Sequence, residues 1–285
     1  MSAAKDANTP KPPDSPPGGP MRPKDAIQGV AVHAPTRGNR RLESLLEAAN
    51  GDDRVKGLWH MQQVFAQRLD MSDHSWVHIQ IVLNIALRLF RLLQRRGVEP
   101  AMVTDHLMRD RDAEVVIAAA CLFHDSGMSI HRTDHEAYSL FLAARVLPEL
   151  LADAYDEPER TVIVAETLHA IIGHRRRGDP LTIEAGIVRV ADALDLAQGR
   201  SRVPFENRRP NIHSLSAAAI DDVQIKAGEE RAVTIEIAMN NSSGIFQVDE
   251  LLATKLRGSG LEQHIEVIAR IDAEHEKRLV PVFRI

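Results

Sequence analysis

From "RRLESLLEAAN" at residue 40 to about residue 200, apolar residues recur every three or four positions, and this pattern does most to limit what the chain can become. Such a period gathers apolar side chains on one face of an α-helix, so the segment is read as a set of packed helices. Over 74–96 the apolar face runs Ile81/Val82, Ile85, Leu89 and Leu92/Leu93, and Gly97 ends it; one turn backward the same face reaches His78. A helix over 113–125 carries Ile117, Ala120 and Cys121, then His124, before Ser126 and Gly127 break it. Helices over 136–153 and 158–174 follow, the second with a proline near its start, where the missing N–H does no harm. A fifth opens on Thr182 as N-cap and sets Val188, Asp192 and Asp195 on one stripe.

After "FENRRPNIHS" the texture changes. The segments "VQIKAG" and "AVTIEIAM" alternate apolar and polar residues around an "AGEE" turn, as a β-hairpin does. Val233, Ile235, Ile237 and Met239 would point one way, Thr234 and Glu236 the other. A helix in "FQVDELLATKLRGSG" follows, then "HIEVIARID" and "KRLVPVFRI" as two more strands. The resulting four-stranded layer could serve as a lid on the helices or as a dimer contact. At the other end, eight of the fifteen prolines fall in the first 35 residues, a composition that buries too little apolar area to offset its ordering entropy. The expected organisation is a disordered Pro-rich tail over 1–38, a helical domain over 39–210 and a small α+β domain over 211–285. The fold class is mainly α.

Charge and composition remove several classes of function. A net charge of −5 and an aromatic content of 4% provide neither the basic surface nor the stacking platform of a dedicated nucleic-acid binder. Two local clusters, "HRRRG" at 174–178 and "GRSR" at 199–202, could still hold a small anion. The single cysteine, Cys121, lies in an apolar run, so no disulfide framework exists and a reducing cytoplasm is the expected compartment. The longest apolar stretch is interrupted by Arg88 and Arg91, and the N-terminal residues lack the apolar core of a secretory signal, so no membrane partner is expected.

Three apolar helix faces each carry ionisable groups: His78, the His124–Asp125 pair, and Asp192. Burying a carboxylate without a partner costs several kcal/mol, on the order of its desolvation, so these groups require a counter-charge or a metal. Their coincidence on three helices points to a metal site where the helices converge. Imidazole and carboxylate donors suit Mn, Fe, Zn, Ni or Co, and no thiolate is offered to select a softer ion.

The ordered set resembles the HD-domain metal-dependent phosphohydrolases, whose pattern is a helix-borne His, a His-Asp pair and a distant Asp. Here those are His78 in "DHSWVHIQIV", His124 and Asp125 in "CLFHDSGMS", and Asp192 in "VRVADALDLA". The resemblance covers residues 60–200, and continues less specifically through "GRSRVPF", "NIHSLSAAAI" and "NNSSGIFQVDELL", which look like a subgroup with its own C-terminal extension. It implies an HD-domain helical bundle followed by the small α+β unit.

Family members with two metals add histidines between the His-Asp pair and the last Asp, and His135 in "DHEAYS" and His174 in "AIIGHRRRG" stand at similar places. His131 and His169 compete with them. His169 and His174 are five residues apart, which turns them about 140° from each other on a helix, so both do not reach one centre. His174, beside the arginines, is preferred.

The resemblance implies one or two divalent ions, of Mn, Fe, Ni, Co, Zn or Mg. His78, His124 and Asp192 would hold one, His135 and His174 the other, and Asp125 would bridge them. His124 and Asp125 would be the catalytic pair, with a metal-activated hydroxide attacking phosphorus. Arg175, Arg176, Arg200 and Arg202 are candidates for gripping phosphate, whose oxygens match the guanidinium fork. Asp195 and His169 would orient ligands from behind, with weaker claims for Arg132 and Glu184; His74 and His106 are read as surface or supporting residues. The implied partner is a small phosphorylated substrate or nucleotide, with a homodimer as the base-rate assembly. Two alternatives carry different chemistry: a di-iron oxygenase on the same ligand set, and a non-catalytic nucleotide-binding regulatory module.

Overall fold

The computed structural model describes residues 21–69, 71, 73–196 and 216–271. Among the described residues the helices ahead of the sheet include α1 (Pro23–Ala26), α2 (Arg40–Gly51), α3 (Asp53–Arg68), α4 (Trp76–Arg95), α5 (Ala101–Thr104), α6 (Asp110–Phe123), α7 (His135–Leu150), α8 (Glu159–Gly173) and α9 (Ile183–Ala193). Four of them begin at a side chain that satisfies a free helix N–H. Asn39 accepts from Leu42, Asp52 from Arg54, Ser75 from Val77 and Thr182 from Ala185.

The centre of the bundle is α6, buried along its whole length from Asp112 to Phe123. Its run of alanines explains this position, because small side chains let α2, α4, α8 and α9 all pack closely around it. The charged residues that enter this interior are paired. Arg91 donates Nε to Glu114 Oε1 at 2.6 Å, and Asn39 donates to the other oxygen of Glu114 at 2.8 Å. Glu184, a candidate for the site, serves elsewhere: its carboxylate accepts the backbone N–H groups of Ala101 and Met102, at 3.1 and 3.0 Å, and so caps α5. Helix α4 is the one described helix long and apolar enough to cross a membrane, and it is mostly buried among the others.

Beyond the helices, β1 (Ile220–Ala227) and β2 (Val233–Met239) form the expected antiparallel hairpin, and β3 (Ile265–Ile271) lies parallel to β2. Val233, Ile235, Ile237 and Met239 are buried and Thr234 and Glu236 are half-buried, so the alternation read from sequence is the face that packs. The helix expected between β2 and β3 is a π-helical turn, Gln247–Ala253, running into a short α-turn, Thr254–Leu256.

Two expectations differ from what is observed. Ile81, placed on the apolar face of α4, is 39% exposed, because the buried stripe is centred on His78, Ile79, Val82, Leu83, Ala86 and Leu87. Residues assigned to the disordered tail are in part packed: Val30 and Val32 join the core, and Asn50 holds Val32 through both its N–H and its carbonyl at 2.8 and 2.9 Å. The composition of 1–38 is dominated by its first twenty residues, which lie outside the described part, and it masks this short apolar anchor. The described sheet has three strands; "KRLVPVFRI" and the boundary near residue 210 lie outside the described residues.

Candidate metal centre

The ends of α6 and α9, the starts of α4 and α7, and the residue after α8 all meet at Asp125. His124 is the C-cap of α6, and Asp125 opens the 3₁₀ turn Ser126–Ser129. That turn is stapled to α7 by Ser139, whose hydroxyl donates to His124 O at 2.7 Å and accepts from Gly127 N at 2.8 Å. His135, the first residue of α7, thereby comes back toward the His-Asp pair.

The Asp125 carboxylate divides its two oxygens. Oδ2 lies 3.5 Å from His78 Nε2 and 3.5 Å from His124 Nε2, while Oδ1 lies 3.0 Å from His135 Nε2 and 3.8 Å from His174 Nε2. Asp192 Oδ1 closes the first side, 3.5 Å from His78 Nε2 and 3.8 Å from His124 Nε2. Two groups of donors result, His78/His124/Asp192 and Asp125/His135/His174, each with ligand atoms within 4.8 Å of one another. The six residues that the sequence singled out as ligands are thus the six that the fold gathers.

Every imidazole in these groups is oriented by its other nitrogen. His78 donates Nδ1–H to Asp195 Oδ2 at 2.6 Å, His124 to Cys121 O at 2.9 Å and His174 to Ile171 O at 2.5 Å, while His135 Nδ1 sits against Arg132, 3.1 Å from its carbonyl and 3.0 Å from its Nη1. With the proton on Nδ1, an imidazole so held presents its Nε2 lone pair to the centre, the tautomer that a metal requires, while His135 Nε2 lies within hydrogen-bond distance of Asp125 Oδ1. With two carboxylates and no thiolate, this donor set fits divalent first-row ions, one per group.

Electrostatics fits the same use. Burial pushes the His124 imidazole below its ordinary pKa, an effect that the Asp125 and Asp192 charges only partly offset. Burial and then the Lys255 charge hold His174 well below. Burial alone would raise Asp125, but His124 and the hydrogen bonds from His135 and His78 outweigh it and keep the carboxyl well below the usual range. Burial opposes protonation of His135 too, yet Asp125 prevails and raises it. The Asp125 carboxylate is ionised and the His124 and His174 imidazoles are held neutral, as ligation demands, whereas Asp125 biases His135 toward its protonated form.

Beside His135 a cleft of about 690 Å³ opens to solvent, lined by Arg132, Asp134, Glu136, Arg175, Arg176, Arg177 and Thr254. Arg175 and Arg176, read from sequence as anion-binding, both border it. Arg175 lies 3.7 Å from Asp134 and 3.8 Å from Glu136, and Arg176 pairs with Glu250 at 2.9 Å. Arg200 and Arg202 lie outside the described residues.

His169 does not orient a ligand: its Nε2 accepts from Leu181 N at 2.9 Å in the loop before α9, on the side of α8 turned away from His174. His131 is exposed and bonds within its own loop, and His106 pairs with Glu166 at 2.9 Å. His74 is buried, with Nε2 3.9 Å from Asp125 Oδ2, and forms a wall of the centre. Two residues escaped the sequence reading altogether. Lys255 bonds Asp192 Oδ2, and the buried Arg189 donates to the carbonyls of Arg175, Arg176 and Lys255. A lysine in a mixed polar stretch carries no sequence signal that separates it from solvated ones, and the partners of Arg189 depend on packing between distant segments.

The family model for the HD domain matches residues 72–197, a span that contains all six gathered residues. The chain belongs to the HD-domain family. HD domains bind divalent metals and make up a superfamily of metal-dependent hydrolases. An uncharacterized protein of Methanocaldococcus jannaschii is 38% identical over 207 residues, covering 73% of this chain and 80% of that relative. That alignment is longer than the HD domain itself, so the likeness includes sequence outside the domain. No solved structure matches.

Proposed function

We propose that this HD-domain protein hydrolyses a phosphate ester or nucleotide with the help of two divalent ions, manganese being a suitable choice, in the cytoplasm. The observation that carries the reading is the junction of two His/Asp groups, shared through Asp125, with a cleft bordered by four arginines. Bound in the two groups, divalent ions would lower the pKa of a water and offset charge on phosphate oxygens.

The chain's own residues do the rest. Asp125 commits one oxygen to each group and so sets their separation. Asp195 and the carbonyls of Cys121, Arg132 and Ile171 fix the imidazoles, so little reorganisation accompanies ligation. Arg132, Arg175, Arg176 and Arg177 present guanidinium donors to an anionic ligand entering from solvent, and Asp134 and Glu136 hold Arg175 across the mouth.

The test is phosphate release from a panel of phosphomonoesters and nucleotides with Mn, Co, Ni or Mg. Turnover should depend on the metal and fall by about 10³-fold or more in Asp125→Ala, the loss of several kcal/mol of charge stabilisation. Undiminished turnover in that variant would sink the assignment. Two irons per chain with substrate-dependent oxygen uptake would replace it with an oxidative reaction.

A further inference from the structure

The C-terminal segment reaches the metal centre at Lys255. Lys255 Nζ bonds Asp192 Oδ2, and the lysine side chain is only 16% exposed. The other oxygen of Asp192 faces His78 and His124. The ammonium thus grips the outer edge of a carboxylate whose inner edge belongs to the metal group.

Its backbone is held with equal care. Arg189 lies one turn before Asp192 on α9 and is 3% exposed. Its Nε donates to Lys255 O at 2.8 Å and its Nη2 to Arg176 O at 2.8 Å, while Nη1 donates to Arg175 O. One guanidinium therefore ties the turn bearing Lys255 to the turn bearing the cleft arginines. Thr254, the neighbour of Lys255, lines the cleft itself.

A lysine normally keeps its ammonium in water, and drawing it toward a buried carboxylate costs desolvation. Neutralising Asp192 does not account for that cost, since a divalent ion in the His78/His124/Asp192 group would supply the charge. Nζ carries three donors, and its bond to Asp192 uses one. The other two stand beside the His78/His124/Asp192 group, on the residue next to Thr254 of the cleft wall.

We propose that Lys255 is a substrate-positioning residue contributed by the C-terminal unit, anchored on Asp192 and donating to an oxygen of a phosphoryl group that bridges the metal groups and the cleft. The inference rests on the phosphohydrolase reading above. It also gives the C-terminal unit a role, that of completing the binding site of the helical domain.

The test titrates inorganic phosphate calorimetrically into the full-length, manganese-loaded protein and counts manganese in each variant. Lys255→Met should weaken phosphate binding about 10- to 100-fold, the span of one charge-assisted hydrogen bond, without changing metal content. Lys255→Arg, which keeps the cation, should recover binding to within about threefold, less than half of that bond's contribution. Equal phosphate affinity in Lys255→Met would overturn the proposal, as would a loss of manganese that accounts for the weaker binding. Lys255-dependent phosphate binding in a protein that turns over no ester would sustain this inference and sink the reaction. Turnover left intact in Lys255→Met together with unchanged phosphate affinity would do the reverse.

Discussion

Asp195 shows how much of a metal centre is built behind its ligands. It sits three residues after Asp192, 6% exposed, and takes the Nδ1–H of His78 at 2.6 Å. Removing it in Asp195→Ala takes away the carboxylate that fixes the tautomer of the buried His78 imidazole. Metal titration should show affinity at the His78/His124/Asp192 group falling about 10- to 100-fold, with the Asp125/His135/His174 group holding its ion. An unchanged isotherm would show that Asp195 does not orient His78. At this scale the sequence was legible wherever polarity contradicted its surroundings. His78, His124 and Asp192 stood out because an ionisable group on an apolar helix face needs a reason, and the structure gathers them. Lys255 was invisible for the converse reason, standing in the mixed stretch "ATKLRG" where a lysine causes no surprise; Arg189 lies in the almost wholly buried α9, and what it bonds depends on packing against the C-terminal segment. His74 was legible only as a histidine near a helix start; its burial beside Asp125 depends on how α3 and α4 pack.

Among the elements, the turn from α6 to α7 is the most constrained. A methyl group at Gly127 would lie 1.9 Å from His135 O and 2.7 Å from Ser139 N, both backbone atoms of α7 that cannot swing aside. Gly127→Ala must therefore push α7 away from the His-Asp pair, at a cost of about 3 kcal/mol for overpacking a filled contact. Denaturant unfolding should record that loss, and metal counting should show the Asp125/His135/His174 group emptied before the other, because His135 moves with α7. Full occupancy of both groups would mean that the turn tolerates the displacement. Helix positions could be read because a 3.6-residue period survives in sequence, as the match of α4, α6, α8 and α9 to their apolar stretches shows. The hairpin was readable through its period of two. The direction of β3 was not, because a strand's own residues do not say whether its partner runs parallel.

At the scale of the whole molecule, the question is what holds the C-terminal unit against the helices, and composition was silent on it. The alternation in "VQIKAG" and "AVTIEIAM" located its hairpin, whereas its docking depends on contacts between residues far apart in sequence. One of these is a close approach of backbones. Gly186 on α9 faces Ser259, and a methyl group there would stand 2.1 Å from Ser259 O and 3.5 Å from Leu261 Cγ. Ser259 is buried and lies between Gly258 and Gly260, both in the left-handed region at φ +73° and +75°, so the turn is shaped to fit the helix and has little freedom to retreat. Gly186→Ala should lift the 257–260 turn from α9 and draw Lys255, four residues earlier, away from Asp192 and Arg189. Stability should fall by about 1–3 kcal/mol, with hydrogen exchange quickening at 254–261 while α4 and α6 stay protected. Phosphate binding should weaken in parallel with Lys255→Met, although no residue of the metal groups has been altered. Faster exchange at 254–261 with unchanged phosphate affinity would mean that the C-terminal unit can move without the binding site registering it, and the coupling through Lys255 would then be absent.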